Sequence, residues 1–229
     1  MKTAALLGAV LGMSAAAVSA ADLSLESPKD RTSYAIGYDM VRNFRKQEVD
    51  FSADALMRGI QDAVANAAPQ VSEREMRALI SGLQADVRQK MTLARRSAAA
   101  ENRQRGQAWL DANKGKEGVV TLASGLQYRV LQAGAAGGRH PVESDMVECL
   151  YRGTLIDGTE FDATAPGKPV TLKLSALIPG WREALKLMTP GARWQLFVPA
   201  GLAYGERGAG NEIGPNEALQ FEVELVGIK

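Results

Sequence analysis

His140 is the only histidine and Cys149 the only cysteine of this 229-residue chain, and their scarcity limits the covalent and metal chemistry open to it. A centre built from several histidines is ruled out. A Ser-His-Asp triad would have to use a histidine that precedes Pro141 in a glycine-rich turn, where a loop residue is the plainer reading. Cys149 lies in an alternating apolar stretch and reads as a small buried side chain, so the fold must stand without disulfides. Glycines 205, 208, 210 and 214 match neither the phosphate loop nor the dinucleotide fingerprint, because no strand and helix flank them in the required order. They read as a flexible flap. Histidine- and cysteine-based chemistries are therefore poorly supplied. On alternation alone Tyr151 and Phe221 would be core residues, and Trp181 could be filling a core as any buried tryptophan does.

The elements that must position these groups fall into two halves with different periodicity. From Gly118 onward the period is two: Leu219, Phe221, Val223 and Leu225 alternate with Gln220, Glu222 and Glu224, as in a strand with one face on a core. Asp157-Gly158 between Thr154-Leu155-Ile156 and Thr159-Glu160-Phe161 predicts a hairpin. Further strands are predicted at 126–131, 146–153, 170–174 and 193–198. One helix should start near Pro179 and carry Trp181, Leu185 and Met188 as far as Pro190-Gly191. An antiparallel sheet packed on one short helix is the economical architecture.

From Ser27 to about Asn113 the pattern is helical. Ser27-Pro28-Lys29-Asp30 supplies an N-cap, a proline at the first position and an acidic third residue, after which Tyr34, Tyr38, Val41 and Phe44 share a face. Ser52 caps a second helix carrying Leu56, Ile60, Ala63 and Ala67, with Pro69 as its stop. Ser72-Glu73-Arg74-Glu75 is a capping box opening a helix from Glu73 to Asn113, about 60 Å long at a rise of ~1.5 Å per residue. Its first part has an apolar stripe, Met76, Leu79, Ile80, Leu83 and Val87. Residues 88–105 are polar nearly all round and predict a solvent-exposed bridge. Three such helices bury too little alone, so two copies are expected to interlock as a homodimer through residues 21–90. Met40, Met57, Met76 and Met91 suit either a repacking interface or gaps within one chain.

Residues 1–20, with Lys2, an apolar run and Val18-Ser19-Ala20, read as a secretory signal peptide and point to the periplasm, with outer-membrane association or secretion left open. Without Lys2 the basic and acidic residues balance at 26 each, which argues against nucleic-acid binding. The six basic residues between Arg88 and Arg105 read as a solvated face with at most a weak attraction to anionic surfaces.

Eight segments, in order, carry a resemblance. They include Tyr151-Arg152-Gly153-Thr154-Leu155, Asp157-Gly158-Thr159-Glu160-Phe161-Asp162, Ile178-Pro179-Gly180-Trp181, Leu202-Ala203-Tyr204-Gly205 and Ile213-Gly214-Pro215-Asn216. Residues 115–229 resemble the FKBP family of peptidyl-prolyl cis/trans isomerases, and residues 28–229 resemble its macrophage infectivity potentiator (Mip) branch. The resemblance implies an α+β fold: an N-terminal all-helical dimerisation module (21–71), a long connecting helix (72–113) and a C-terminal antiparallel half-barrel sheet wrapped on one short helix (114–229). It implies an apolar pocket with Asp162, Tyr204 and Tyr151 as catalytic residues. Phe161, Leu172, Leu177, Ile178, Trp181, Ile213 and Phe221 would bind substrate, with Trp181 as the floor. No cofactor or metal is implied. Proline-containing polypeptides would be substrates and a rapamycin-type macrolide a ligand. Val170 and Leu172 stand where animal members place phenylalanines, and Ala209 where a histidine is common, which bears on preference more than on activity.

An X-Pro bond populates both isomers but exchanges only over tens to hundreds of seconds, because resonance stiffens the C–N bond. An enzyme need only favour the twisted amide, in which the carbonyl is less polar. Trp181, Phe221, Tyr151 and Ile178 would grip the proline ring while the Tyr204 hydroxyl and the Ile178 amide position flanking carbonyls. Asp162 would either bias the polarity or organise the site by bonding Tyr151 or a backbone amide. Two other functions compete: a non-catalytic periplasmic chaperone with two pockets held apart, and a surface virulence factor binding proline-rich matrix.

Overall fold

The computed structural model describes residues 25–229, so the expected signal peptide at 1–20 lies outside the described residues. The chain divides into two compact units, the first ending at Ser81 and the second spanning Gly82–Lys229.

The first unit holds helices α1 (Pro28–Lys46), α2 (Ala53–Val64) and the opening turns of α3 (Glu73–Asn113). Each start follows from its cap. Ser27 Oγ accepts the Asp30 amide at 3.1 Å, Ser52 Oγ the Ala55 amide at 3.3 Å and Ser72 Oγ the Glu75 amide at 3.2 Å, satisfying donors that a helix leaves free at its N-terminus. Helix α2 stops at Val64 rather than near Pro69, because Asn66 turns left-handed with φ 52° and leaves Ala67 outside. Neither α1 nor α2 has a buried residue. Tyr38 is 62 % exposed and Leu79 60 %.

In the second unit a seven-stranded antiparallel sheet runs in the order β1 (Val119–Thr121), β2 (Gln127–Gln132), β6 (Arg193–Val198), β7 (Leu219–Ile228), β3 (Met146–Leu155), β4 (Glu160–Ala163). The first half of β3 also pairs with β5 (Val170–Lys173), so β4 and β5 follow one another along the same flank of β3. Strand β1 was not among the strands predicted. It is three residues long, too short for a period of two to declare itself. The hairpin turns at Gly158, whose φ of 90° suits only glycine without strain.

Helix α4 (Pro179–Leu185) lies against the sheet with Gly180, Trp181, Ala184 and Leu185 buried. Alternation puts Leu219, Phe221, Val223 and Leu225 of β7 on the same core as Leu196 and Val198 of β6. The helix is shorter than expected. Met188 is fully buried but lies in the turn that leads to Gly191 at φ 83°. A β-carbon on Gly180 would sit 2.7 Å from Val198 Cγ1, so glycine lets α4 approach β6.

Residues 88–105 of α3 are mostly exposed, as expected of a solvent-exposed bridge, with Asn102 as the buried exception; burial increases in the turns beyond them. Asn102, Gly106, Leu110 and Asn113 are buried within the second unit. Arg95 Nη2 donates to the carbonyls of Glu206 (3.0 Å) and Arg207 (2.7 Å), and Arg103 pairs with Glu206 at 3.0 Å. Trp109 meets Phe197 edge-on at 5.5 Å between ring centroids. Asn113 Nδ2 donates to Gln127 Oε1 at 2.9 Å, and Gln127 Nε2 donates to the Leu110 carbonyl at 2.9 Å. The docking face combines Trp109 and Leu110 with polar and small residues, Arg95 and Asn102 among them bonding backbone carbonyls, a contact that apolar periodicity does not express.

Candidate active site

Between α4, the β3–β4 flank and the segment after β6 lies a cavity of about 220 Å³ lined by Tyr151, Phe161, Asp162, Leu172, Ala176, Leu177, Ile178, Trp181, Tyr204 and Phe221. Each strand contributes by its pleat. Tyr151 of β3 pairs in register with Val223 of β7 and Gly153 with Phe221, so the cavity's walls come from facing positions of neighbouring strands. Helix α4 supplies Trp181, carried one turn in from Ile178 and Pro179.

The rings form a continuous edge-to-face chain. Trp181 stands 5.2 Å from Tyr151 at 84° and 5.3 Å from Phe221 at 88°, and Phe161 stands 5.6 Å from Phe221 at 85°. Each such pair contributes about 0.5–1.5 kcal/mol beyond its buried area, which holds the cavity's shape without a ligand. Trp181 and Phe221 are buried, and Trp181 Nε1 has no hydrogen-bond partner among the described residues. Gly153 makes this chain of rings possible: a β-carbon there would lie 2.7 Å from Phe161 Cζ and 2.9 Å from Phe221 Cε1.

Polarity is confined to one side. The Tyr151 hydroxyl donates to Asp162 Oδ2 at 2.7 Å. Burial first, then that bond and the neighbouring Asp162 charge, push the Tyr151 phenol up to about 12, so it remains a proton donor. Burial and the Asp162 charge also push the Tyr204 phenol above its usual range. The Ile178 amide and the Tyr204 hydroxyl donate to no acceptor among the described residues, leaving two donors beside the rings. The structure therefore brings the site residues expected from the sequence around one cavity, apart from Ile213. Ile213 is instead packed into the core beside the site, its backbone exchanging hydrogen bonds with Ala209 at 2.9 and 3.1 Å. Ala176 lines the cavity unannounced, since it sits in a single turn of 3-10 helix (Leu174–Ala176) that no periodicity marks.

Residues 137–226 match the family model described as FKBP-type peptidyl-prolyl cis-trans isomerase, and residues 29–130 match that of the domain amino terminal to it. The outer membrane protein MIP of Legionella longbeachae is 46% identical over 228 residues, covering 99% of this chain and 96% of that protein. The chain belongs to the FKBP-type peptidyl-prolyl cis-trans isomerases. Within them it is of the Mip type: the peptidyl-prolyl cis-trans isomerase Mip of Coxiella burnetii is 42% identical, with 97% of this chain and 95% of that one aligned. The crystal structure of FkpA from Escherichia coli superposes with a TM-score of 0.69 at 34% identity, covering 90% of this chain and 99% of that one. This FKBP is thus an isomerase of X-Pro bonds, with an α+β fold of N-terminal helices, a long helix and an antiparallel sheet. Membership favours catalysis over the purely binding alternatives. Among the described residues no cluster of metal-binding side chains occurs.

Proposed function

We propose that the isomerase works by holding a proline ring in the aromatic cavity and favouring the twisted amide. Trp181 forms the floor, Tyr151, Phe221 and Ile178 the walls, and Phe161, Leu172 and Leu177 the rim. The observation that carries this reading is the edge-to-face chain of rings around about 220 Å³, below the ~300–1,000 Å³ of sites for drug-sized ligands and on the scale of one cyclic side chain. A planar amide is the more charge-separated form and gains more from water, so a dry cavity disfavours it relative to the twisted one. The Tyr204 hydroxyl and the Ile178 amide receive the carbonyls on either side of the rotating bond. Asp162 acts through Tyr151: its 2.7 Å bond aims the phenol and keeps it protonated, which supports the organising role over a direct electrostatic one. Ile213 acts from behind, anchoring the loop that follows Tyr204 to the core.

The substrates are proline-containing polypeptides, and we take them to be exported proteins. Support comes from the name of the Legionella relative, an outer membrane protein, together with the leader-like residues 1–20; both favour a periplasmic or envelope location. The chain is proposed to be a homodimer through residues 21–90. Helices α1 and α2 bury nothing in a single copy, and Tyr38, Ile60, Leu79 and Ile80 stand exposed, an apolar area that a second copy would cover. A rapamycin-type macrolide is proposed to compete for the same cavity by inserting one ring into it, with the rest of the ligand lying outside.

The testing experiment is proline-limited refolding of a model protein with and without this chain, repeated with rapamycin. Acceleration that the macrolide abolishes is the expected result. Acceleration untouched by saturating macrolide would remove the cavity as the site.

A further inference from the structure

The segment from Tyr204 to Ala218 leads out of the cavity with little regular structure of its own. Gly205, Gly208 and Gly210 have φ of 56°, 61° and 57°, and from within it is braced by the Ala209–Ile213 pair, by the Asn216 (2.8 Å) and Gly208 (3.4 Å) amides on the Gly205 carbonyl, and by the Asn211 amide on the Glu212 carboxylate (3.1 Å). Ile213 and Ala209 pack it on the core, and α3 holds it by side-chain hydrogen bonds to its backbone. Arg95 takes the consecutive carbonyls of Glu206 and Arg207, and Arg103 takes the Glu206 carboxylate. Asn102 is 8 % exposed and donates through Nδ2 to the Pro215 carbonyl at 3.0 Å. Asn216, itself buried at φ 57°, donates back to the Ala99 carbonyl at 3.3 Å.

The approach is close enough to need small residues on both sides. A β-carbon on Gly106 would lie 3.0 Å from Ala218 Cβ, and one on Gly214 would lie 3.2 Å from Asn102 Nδ2. Positions 95, 99, 102 and 106 recur at helical spacing along one face, so a single rigid rod grips the loop at both its ends, Glu206–Arg207 and Pro215–Ala218.

We infer that α3 clamps the 204–218 loop onto the isomerase site, with Asn102 as the central positioning residue for Tyr204. The bonds from Asn102 and Asn216 are partly buried and both residues are nearly enclosed, so losing the Asn102 amide leaves the Pro215 carbonyl without its protein partner, whereas the arginines are exposed and water replaces them. The clamp makes residues 95–106 part of the catalytic apparatus although none of them lines the cavity. This inference rests on the proposed role of Tyr204, and its test separates the two.

The test uses the full chain carrying Asn102→Asp, which keeps the shape but sets a carboxylate oxygen against the Pro215 carbonyl. Amide exchange at Ala209, Ile213 and Asn216 should quicken at least tenfold while β6 and β7 exchange as before, in line with local opening of one loop. On a proline tetrapeptide kcat/KM should fall about tenfold at a temperature where the fold is intact. In the Tyr204→Phe background the same substitution should cost almost nothing further, because both act through one group. Unaltered exchange overturns the clamp whatever Tyr204 does. Faster exchange with strictly additive losses, or with Tyr204→Phe silent on its own, overturns the assignment of Asn102 to Tyr204.

Discussion

Gly153→Ala tests whether the rings around the cavity are its working surface. The added methyl would lie 2.7 and 2.8 Å from Phe161 Cζ and Cε2 and 2.9 Å from Phe221 Cε1. Carbon atoms rest at about 3.5–4.0 Å, so the rings must retreat by roughly 1 Å. Phe221 has nowhere to go, being buried in β7 between β3 and β6 and fixed against Trp181 at 5.3 Å. Phe161, half-buried on the short strand β4, gives way instead. Overpacking of this kind costs about 1–3 kcal/mol, and an edge-strand ring that can swing outward puts the figure near the lower end. The effect on catalysis is larger. A shift of about 1 Å in a positioned group costs on the order of a hundredfold, against tenfold for each 1.36 kcal/mol of barrier. Prolyl turnover on a tetrapeptide should therefore fall by about a hundredfold while thermal melting followed by circular dichroism moves only a few degrees. If kcat/KM stays within about twofold of the parent while the melt shifts as expected, the rings are mere packing and the proposed site is wrong.

Asp162→Ala and Tyr204→Phe should each lower kcat/KM several-fold with the melt preserved, and unchanged rates in both would remove their roles. Tyr151 makes a prediction about pH. Its phenol is raised in the fold to about 12 from an ordinary value of 10.0, so its contribution to stability is complete below pH 10 and is lost as pH rises from there to about 12. Ultraviolet titration should show a tyrosine step near the upper end that Tyr151→Phe removes; a titration unchanged by that substitution would contradict the role of the bond to Asp162. Asn113→Ala strips Gln127 of its buried partner and should cost about 1–3 kcal/mol in denaturant unfolding, with no change in the midpoint as the refuting outcome. Leu79→Glu together with Tyr38→Glu should convert a dimer to a monomer in sedimentation equilibrium while tetrapeptide turnover persists; a dimer that survives both places the interface elsewhere.

Helix α3 shows where reading a sequence succeeds and where it stops. Its bounds follow from the Ser72 cap and the run of helix formers, and the observed Glu73–Asn113 is the span expected. Within its polar stretch 88–105 only Asn102 buries itself, on the Pro215 carbonyl, a contact that no hydropathy pattern reports. Ile213 and Ala176 exchange places at the cavity for a related reason. Both sit in irregular segments, where neighbours along the chain say nothing about direction in space.

Residue types and local spacing are sufficient for caps, strand alternation, the Asp157-Gly158 turn and the family motifs, since each depends on atoms within a few positions of one another. The cavity depends on Tyr151, Trp181, Tyr204 and Phe221, which approach only after β3 pairs with β7 and α4 lies across the sheet. Gly153 and Gly106 acquire their purpose at that same moment, when a missing methyl lets two rings or a helix and a loop come within contact. Long-range closure, unlike a turn or a cap, is a property of the assembled chain, and it is there that the positions of the site and of the loop beside it are decided.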